Sequence, residues 1–297
     1  MPTVCPILVN FKNPKKTVAC LRALEKSTVQ PDCVYVIDNA STKESKEYFE
    51  SFSFAFKIRW IWNKENRGFA AGCNQGIRAS LEEFPNSFAW LLNNDTEPTP
   101  TALEKLLDKA VTTNAGITGS LIQKANGEFS GGVGFIHPKL ASVRRPASTD
   151  EKNFDYVEGS SFLISPECIQ KTGLLSEDYF LYFEESDYCC KAKRNGFTLA
   201  WATESVILHD IGSSTGSENA KGGVPYFIDC IMIRNRIHFA FKNGYPTFGI
   251  LLGLGISLAL RVKRLQFSRV PTILKITLSK ALFKKFIEKN GGYYEIH

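Results

Sequence analysis

From residue 180 to 187 the chain reads Phe-Leu-Tyr-Phe-Glu-Glu-Ser-Asp, so an aromatic run delivers Glu184, Glu185 and Asp187 within four positions. Like charges held that close beside apolar rings raise the pKa of at least one carboxyl, which suits a general base. The same acids also suit the first turn of a helix, where negative side chains favour the dipole. A second constellation, Asn93-Asn94-Asp95, closes the apolar run Phe88 to Leu92. In extended geometry its oxygen side chains at i and i+2 point to one side, as a hard cation bridging phosphates would require. Turn chemistry is the simpler account of a lone Asn-x-Asp, and the sequence holds no Asp-x-Asp. His209 ends the run Leu199 to Leu208 and precedes Asp210-Ile211-Gly212-Ser213-Ser214-Thr215-Gly216. At a strand end beside a Gly/Ser loop it suits a metal or a phosphate, although a lone histidine is more often structural. Finally, Asn66 to Asn74 is rich in small residues, so its backbone amides can approach an anion at a helix N-terminus. A tight strand-to-helix connection explains it as well.

These side chains need elements to hold them. Val4 to Phe11 reads as a strand, and Lys15 to Ser27 as a helix with Val18, Leu21 and Leu24 at helical spacing. Val34 to Ile37 is a β-branched strand stopped by Asp38-Asn39, followed by a helix over Thr42 to Ser51. Ile58 to Trp62 and Phe88 to Leu92 are strands; Ala70 to Leu81 and Thr101 to Thr112 are helices. Such alternation predicts an α/β fold, a mostly parallel sheet with helices on both faces. Ligands then bind beyond the carboxyl ends of the strands, where Asn10-Phe11, Asp38-Asn39 and Asn93-Asn94-Asp95 fall. After residue 116 the alternation weakens; residues 140–155 read as an exposed, mobile loop, and a helix returns near Asp187 to Asn195.

A length of 297 residues fits one large domain with an appendage or two modest domains, and 43% hydrophobic with 22% charged residues marks a folded chain. Eight scattered cysteines with no C-x-x-C pair argue against a zinc ribbon or a disulfide scaffold, and a reducing cytoplasm is expected. No basic leader precedes the first strand, so no signal peptide is expected. The net charge of +6 is uneven: residues 234–297 hold twelve basic against two acidic side chains, and the rest of the chain is acidic overall. This is the pattern of a body with a basic attachment.

In order along the chain, Asp38, the Asn66 to Asn74 loop, Asn93-x-Asp95, Gly159-Ser160-Ser161, Glu184-Glu185-x-Asp187, His209 and Arg234-Asn235 form a set. Together they resemble a family 2 inverting glycosyltransferase of the GT-A fold, in the rhamnosyltransferase-like branch of bacterial surface-polysaccharide synthesis. The resemblance covers residues 4–240. It implies a nucleotide pocket with Asp38 on the base or ribose, lined by Asn10, Phe11, Asn39, Asn66, Gly68, Phe69, Ala70, Gly72, Asn74 and Asn94. It implies a divalent metal, Mg²⁺ or Mn²⁺, held by Asn93, Asp95 and His209, and Glu185 as the base, with Glu184 and Asp187 in reserve. Asn93 stands where the family has an aspartate, so the metal site loses a charge. Glu185 stands where the family usually has an aspartate, which lengthens the base by a methylene. The implied reaction moves a sugar from a nucleotide-sugar donor, dTDP-rhamnose first, to a glycan or lipid-linked glycan acceptor. Asp38→Ala is expected to weaken donor binding and leave the fold intact, and Arg234 and Arg236 are candidate contacts to an acceptor phosphate. A non-catalytic nucleotide-binding module would leave the acidic cluster idle. A nucleotidyltransferase would want a glycine-rich basic loop after the first strand, which Asn10-Phe11-Lys12-Asn13-Pro14 is not.

The division expected is a GT-A domain over residues 1–240 and a basic amphipathic helical extension over 241–297. The uncharged stretch Thr247 to Leu260 spans about 21 Å as a helix, short of a ~30 Å hydrocarbon core, so it should not cross a membrane. Leu274, Leu278, Leu282 and Phe286 form an apolar stripe among lysines, suited to peripheral attachment to an anionic inner leaflet. Packing on the body or a homodimer contact would use the same stripe. With few aromatics among the lysines and no nucleic-acid motif, a nucleic-acid partner is not expected.

Overall fold

The computed structural model describes residues 2–209 and 224–295; Asp210 to Gly216, singled out above, lies outside them. The first half alternates as expected: β1 (Val4–Asn10), α1 (Pro14–Leu24), β2 (Val34–Asp38), α2 (Lys43–Glu50), β3 (Ile58–Trp62), α3 (Phe69–Glu83), β4 (Phe88–Leu92). Next come β5 (Thr96–Pro98), α4 (Ala102–Thr113), β6 (Ile117–Gln123), β7 (Phe129–Gly131), β8 (Val133–Ile136), β9 (Val143–Arg144), β10 (Tyr156–Val157) and β11 (Ser161–Ile164). The chain continues through α5 (Pro166–Thr172), α6 (Glu184–Arg194), β12 (Leu199–His209), α7 (Tyr226–Lys242), α8 (Thr247–Lys263), α9 (Arg269–Leu278) and α10 (Lys280–Lys289).

The main sheet has the order β3-β2-β1-β4-β11-β6-β12-β5, with β7 beside β6. Pairing is parallel from β3 to β4, as the alternation demands. Beyond β4 the sheet is mixed, because β11 enters antiparallel between β4 and β6 while β12 runs parallel to β6. The carboxyl ends of β1, β2, β4 and β12 therefore share one edge. Along β1 the side chains alternate between two cores: Cys5, Ile7 and Val9 join one with α3 and α6, while Val4 and Leu8 join the other with α1 and α4. Trp90 Nε1 donates to Ser161 Oγ at 3.0 Å, and the Ser161, Ser120 and Ser205 hydroxyls continue the chain across β11, β6 and β12. Such a satisfied buried network fixes the order of these strands.

A three-stranded sheet, β10-β8-β9, stands over the site edge. The segment 140–155, expected to be a mobile loop, supplies β9 to it and buries Ala141 completely.

The C-terminal helices form a third core in which Phe180 meets Cys230, Ile231 and Ile233 of α7, Ile273 and Ile276 of α9, and Phe283 and Ile287 of α10. Residue 240 thus lies inside a helix shared by body and extension. Four of the tail's cations are consumed internally. Arg234, 3% exposed, donates to the Asp178 carbonyl at 2.8 Å and stacks 3.8 Å from the Phe283 ring. Arg236 donates to the Gly253 carbonyl and Ser257 Oγ, both at 2.8 Å, and Arg261 and Arg269 grip Asp229. Arg234 and Arg236 are therefore framework residues, not acceptor contacts. The expected stripe is also broken: extended Ser279 separates α9 from α10, Leu278 is 84% exposed, and the buried face is Ile273, Ile276, Phe283 and Ile287. Among the described residues no helix is long and apolar enough to cross a membrane.

Candidate active site

Beyond the strand ends lies one cavity of about 690 Å³. Its wall includes Phe11 after β1, Asn39 after β2, Asn66, Gly68 and Phe69 before and at the start of α3, Asn93, Asn94 and Asp95 after β4, Ser160 before β11, and His209 at the end of β12. The loop Phe180 to Phe183 with Glu184 and Glu185 of α6 forms another part. Ile228 and Met232 of α7 complete it, with Arg144, Arg145, Tyr156 and Glu158 from the small sheet. Most of the expected site residues thus meet at one place.

Six do not line it. Asp38, 1% exposed, accepts from Asn10 Nδ2 at 2.6 Å and from Ser45 Oγ at 2.7 Å, so both of its oxygens are engaged inside the fold. These bonds give its loss a cost in stability that the sequence reading did not anticipate. Asn10 is fully buried and passes the network on: its Oδ1 accepts from Thr17 Oγ1 and Asn94 Nδ2. Asn74 is buried and clamps the Leu175 backbone by both its amide and its oxygen, besides donating to Glu177. Ala70 is buried within α3, and Gly72 packs its backbone so closely on Val9 that a Cβ would meet Val9 Cγ1 at 2.9 Å. These residues build the frame behind the wall. Asp187 likewise turns away from the cavity, its Oδ2 bound by Lys242 and its Oδ1 by Asn243, each at 2.9 Å.

The Asn66–Phe69 loop is tied from the end of β2. Asn39 Nδ2 donates to the Gly68 carbonyl at 2.9 Å, and Asn66 Oδ1 accepts from Gly68 N at 3.0 Å. Gly68 has φ +87, and a Cβ there would sit 2.5 Å from the Phe180 carbonyl oxygen. Glycine is required because two loops touch backbone to backbone, and Phe69 N donates to that carbonyl at 2.7 Å. The facing loop is strained: Phe180, Tyr182 and Phe183 all have positive φ, at 66, 72 and 75. Asn235 holds it, donating through one amide to the carbonyls of Tyr179, Leu181 and Tyr182. Out of this turn α6 begins, with Glu184 and Glu185 in its first turn.

Burial and the neighbouring Glu158 charge push the Glu185 carboxyl up to about 7, in spite of backbone amides that favour the anion. Burial and then the Glu185 charge hold the Glu184 carboxyl well above the ordinary range. Glu158 itself is raised by burial against the pull of Arg145, whose Nε lies 2.8 Å from its Oε1. A half-buried carboxyl raised to about 7 beside a second carboxyl also raised by burial is an arrangement that suits a general base. No sequence pattern marked Glu158 or Arg145, because the small sheet that brings them in is irregular.

His209 Nε2 lies 3.2 Å from Asp95 Oδ1, both nearly buried. That is a hydrogen-bond length, and also the edge between two ligands of a cation bound at about 2.1 Å. Among the described residues no group of three His, Cys, Asp or Glu side chains forms a metal centre. Two protein donors, with Asn93 on the same cavity wall, fit Mg²⁺ or Mn²⁺, which commonly fill their shells with water and substrate phosphate. Three buried polar atoms of the cavity wall, Ser160 Oγ, Glu184 Oε2 and His209 Nδ1, lack a hydrogen-bond partner among the described residues. Orphaned groups of this kind mark a surface built for a polar ligand.

A mixed α/β sheet with a cavity over its carboxyl edge is the architecture of the GT-A fold. The family model "Glycosyl transferase family 2" matches residues 7–167, and the chain belongs to that family. The hexosyltransferase Agl10 of low-salt glycan biosynthesis in Haloferax volcanii is 27% identical over 181 residues, 59% of this chain and 58% of Agl10. The chain thus matches under three-fifths of that relative's length. The uncharacterised protein Rv1525 of Mycobacterium tuberculosis is 27% identical over 204 residues, covering 65% of this chain and 72% of Rv1525. In fold, the chain is similar to S. aureus TarS 1-349, with a TM-score of 0.57 at 11% identity over 97% of this chain and 82% of that one. It is also similar to GalNAc-T7, crystallised with UDP, GalNAc and Mn²⁺, with a TM-score of 0.56 at 15% identity, over 70% of this chain and 43% of that one.

Proposed function

We propose that the chain transfers a sugar, with inversion at the anomeric carbon, from a nucleotide-sugar donor to a hydroxyl of a glycan. The observation that carries this reading is Glu185, its carboxyl raised to about 7, on the wall of the cavity that Asp95 and His209 also line. The nucleotide lies along the strand ends and the Asn66 to Phe69 loop, which Asn39 braces. The acceptor oxygen attacks the anomeric carbon as the bond from that carbon to the diphosphate breaks. Glu185 takes the hydroxyl proton, and the electron pair leaves on the β-phosphate oxygen. A divalent cation held by Asp95, His209 and Asn93 supplies positive charge toward the diphosphate when bound. Burial raises the Glu184 carboxyl as well, which disfavours a second negative charge beside the base. No nucleophilic side chain is needed for a single displacement.

The donor we put first is dTDP-rhamnose, on the resemblance of the motif set, with UDP-hexoses and UDP-furanoses next. For the acceptor we propose a lipid-linked glycan reached from the cytoplasmic face of an anionic membrane. In support, α8 leaves Phe248 79% and Leu251 58% exposed with Leu252 and Ile256 beside them, and Lys263 and Arg264 lie exposed at its end. Such a basic, apolar face suits an interfacial site. A thermal-shift panel of nucleotides and nucleotide sugars, followed by nucleoside diphosphate release with and without Mn²⁺, tests the reading. Stabilisation by no nucleotide sugar, and no release with any acceptor, would sink it.

A further inference from the structure

Past α10 the chain turns back onto the active site. Gly291 has φ +82, and Gly292 packs so closely that a Cβ would lie 2.6 Å from both the Phe180 ring and Ile287. Tyr293 N then donates to the Asn66 carbonyl at 2.6 Å, and Glu295 pairs with Arg67 at 3.4 Å. Between them Tyr294, only 3% exposed, packs edge-on against Phe283 and donates its hydroxyl to the Asp178 carbonyl at 2.9 Å. Five residues therefore span two loops: the donor-side loop at 66–68 and the turn at 178–180 that launches the strained approach to Glu185.

We propose that residues 291–295 are a strap that positions both walls of the active site, with Tyr294 its principal positioning residue. The argument rests on how the approach to Glu185 is held. Three residues with positive φ in four positions relax unless neighbouring structure over-determines them. Asn235 binds the carbonyls of 179, 181 and 182 from α7. The Asp178 carbonyl, at the entrance to the turn, is shared by Arg234 and Tyr294. Phe180 is pressed from one side by Gly68 and from the other by Gly292. Without the strap, one side of Phe180 and one of the two donors at Asp178 are gone, and the Asn66 carbonyl loses its bond. Tyr294 touches no reacting atom, so its effect reaches the chemistry through the placement of Glu185.

This inference deepens the glycosyltransferase reading of the cavity and rests on it, so its test carries one readout independent of turnover. In the full-length chain, Tyr294→Phe removes only the hydroxyl and Tyr294→Ala removes the packing as well. Amide exchange of segments 66–69 and 178–185 should quicken in Tyr294→Ala, and less in Tyr294→Phe, while α1 and α4 keep wild-type protection. For kinetics, kcat should fall about 10- to 100-fold in Tyr294→Ala with donor KM within about threefold, because a misplaced base slows the chemical step rather than binding. The pH limb of kcat should move, since Glu185 no longer sits in the same surroundings, and Tyr294→Phe should recover most of kcat. Unchanged exchange in the two segments overturns the strap whatever the protein catalyses. Quickened exchange with wild-type kcat and an unmoved pH limb overturns it too, leaving Tyr294 as packing alone. Absence of turnover in the wild-type protein would defeat the enzymatic reading instead, and the exchange result would still decide the strap.

Discussion

Exchanging Glu185 for Gln keeps the shape of the side chain at the start of α6 and removes the group proposed to take the proton. The loss of a general base lowers kcat by about 10²–10⁴-fold, and donor binding should persist because the Asn39–Asn66–Gly68 loop is untouched. The wild-type pH profile sharpens the test. A carboxyl with its pKa near 7 is about one-tenth ionised at pH 6 and about nine-tenths at pH 8, so kcat should climb about tenfold between them and lose that limb in Glu185→Gln. Stability gives a second signature of opposite sense. A carboxyl raised from 4.5 to about 7 by folding binds its proton more tightly when folded, so wild-type stability falls as pH rises through that interval. Gln imitates the neutral form and escapes the loss. The variant should therefore match wild type near pH 4 and exceed it at pH 8. The ceiling is about 3 kcal/mol, and the gain is smaller because the carboxyl is partly open to the cavity's water. Nucleoside diphosphate release measured from pH 5.5 to 9, paired with urea unfolding at the two ends, reads both. A Glu185→Gln enzyme within threefold of wild-type kcat and with its pH limb intact would refute the assignment, and an inactive Asp187→Asn with unchanged stability would move the base two residues on.

Asp95→Ala should abolish divalent-ion dependence along with most activity, and His209→Ala should do so less completely; titrating Mn²⁺ against product release checks both. Gly68→Ala should destabilise by about 1–3 kcal/mol in urea unfolding, because it adds a Cβ at positive φ against the Phe180 carbonyl. Asp38→Ala should lower stability by about 1–3 kcal/mol, measured the same way, since it strips the acceptor from buried Asn10 and from Ser45. Flotation with anionic vesicles should carry the wild-type chain, neutral vesicles should not, and Leu251→Asp with Leu252→Asp should abolish it; unaltered flotation of the double variant would move the lipid contact away from α8.

Where hydrophobic period and polar punctuation were strong, the sequence was sufficient. Ile58 to Trp62 and Phe88 to Leu92 are strands residue for residue, and the acids after Phe183 do open a helix. Periodicity reports which face of an element is apolar, not which element it faces. That is why β11, four buried residues long, gave no sign that it would enter antiparallel between β4 and β6. The tail shows the same limit. Its 3.6-residue spacing made a stripe of Leu274, Leu278, Leu282 and Phe286, but the break at Ser279 rotates α10 relative to α9 and turns Ile273, Ile276, Phe283 and Ile287 inward.

The site was legible by residue type and less so by role. Asp38 and Asn74 sit in the motifs that mark the pocket, yet their polar atoms are spent on neighbouring backbone and side chains. A polar residue at a strand end is equally suited to binding a ligand and to bracing the loops that bind it, and only its partners distinguish the two. Glu158 is the converse case. Its local sequence is unremarkable, but the fold sets its charge where it raises Glu185. Burial, with the Glu158 charge adding to it, raises the Glu185 carboxyl, and the turn before it is bound by Asn235 of α7 and by Tyr294 beyond α10. The turn before the acidic cluster is thus bound by a residue more than a hundred positions further along the chain.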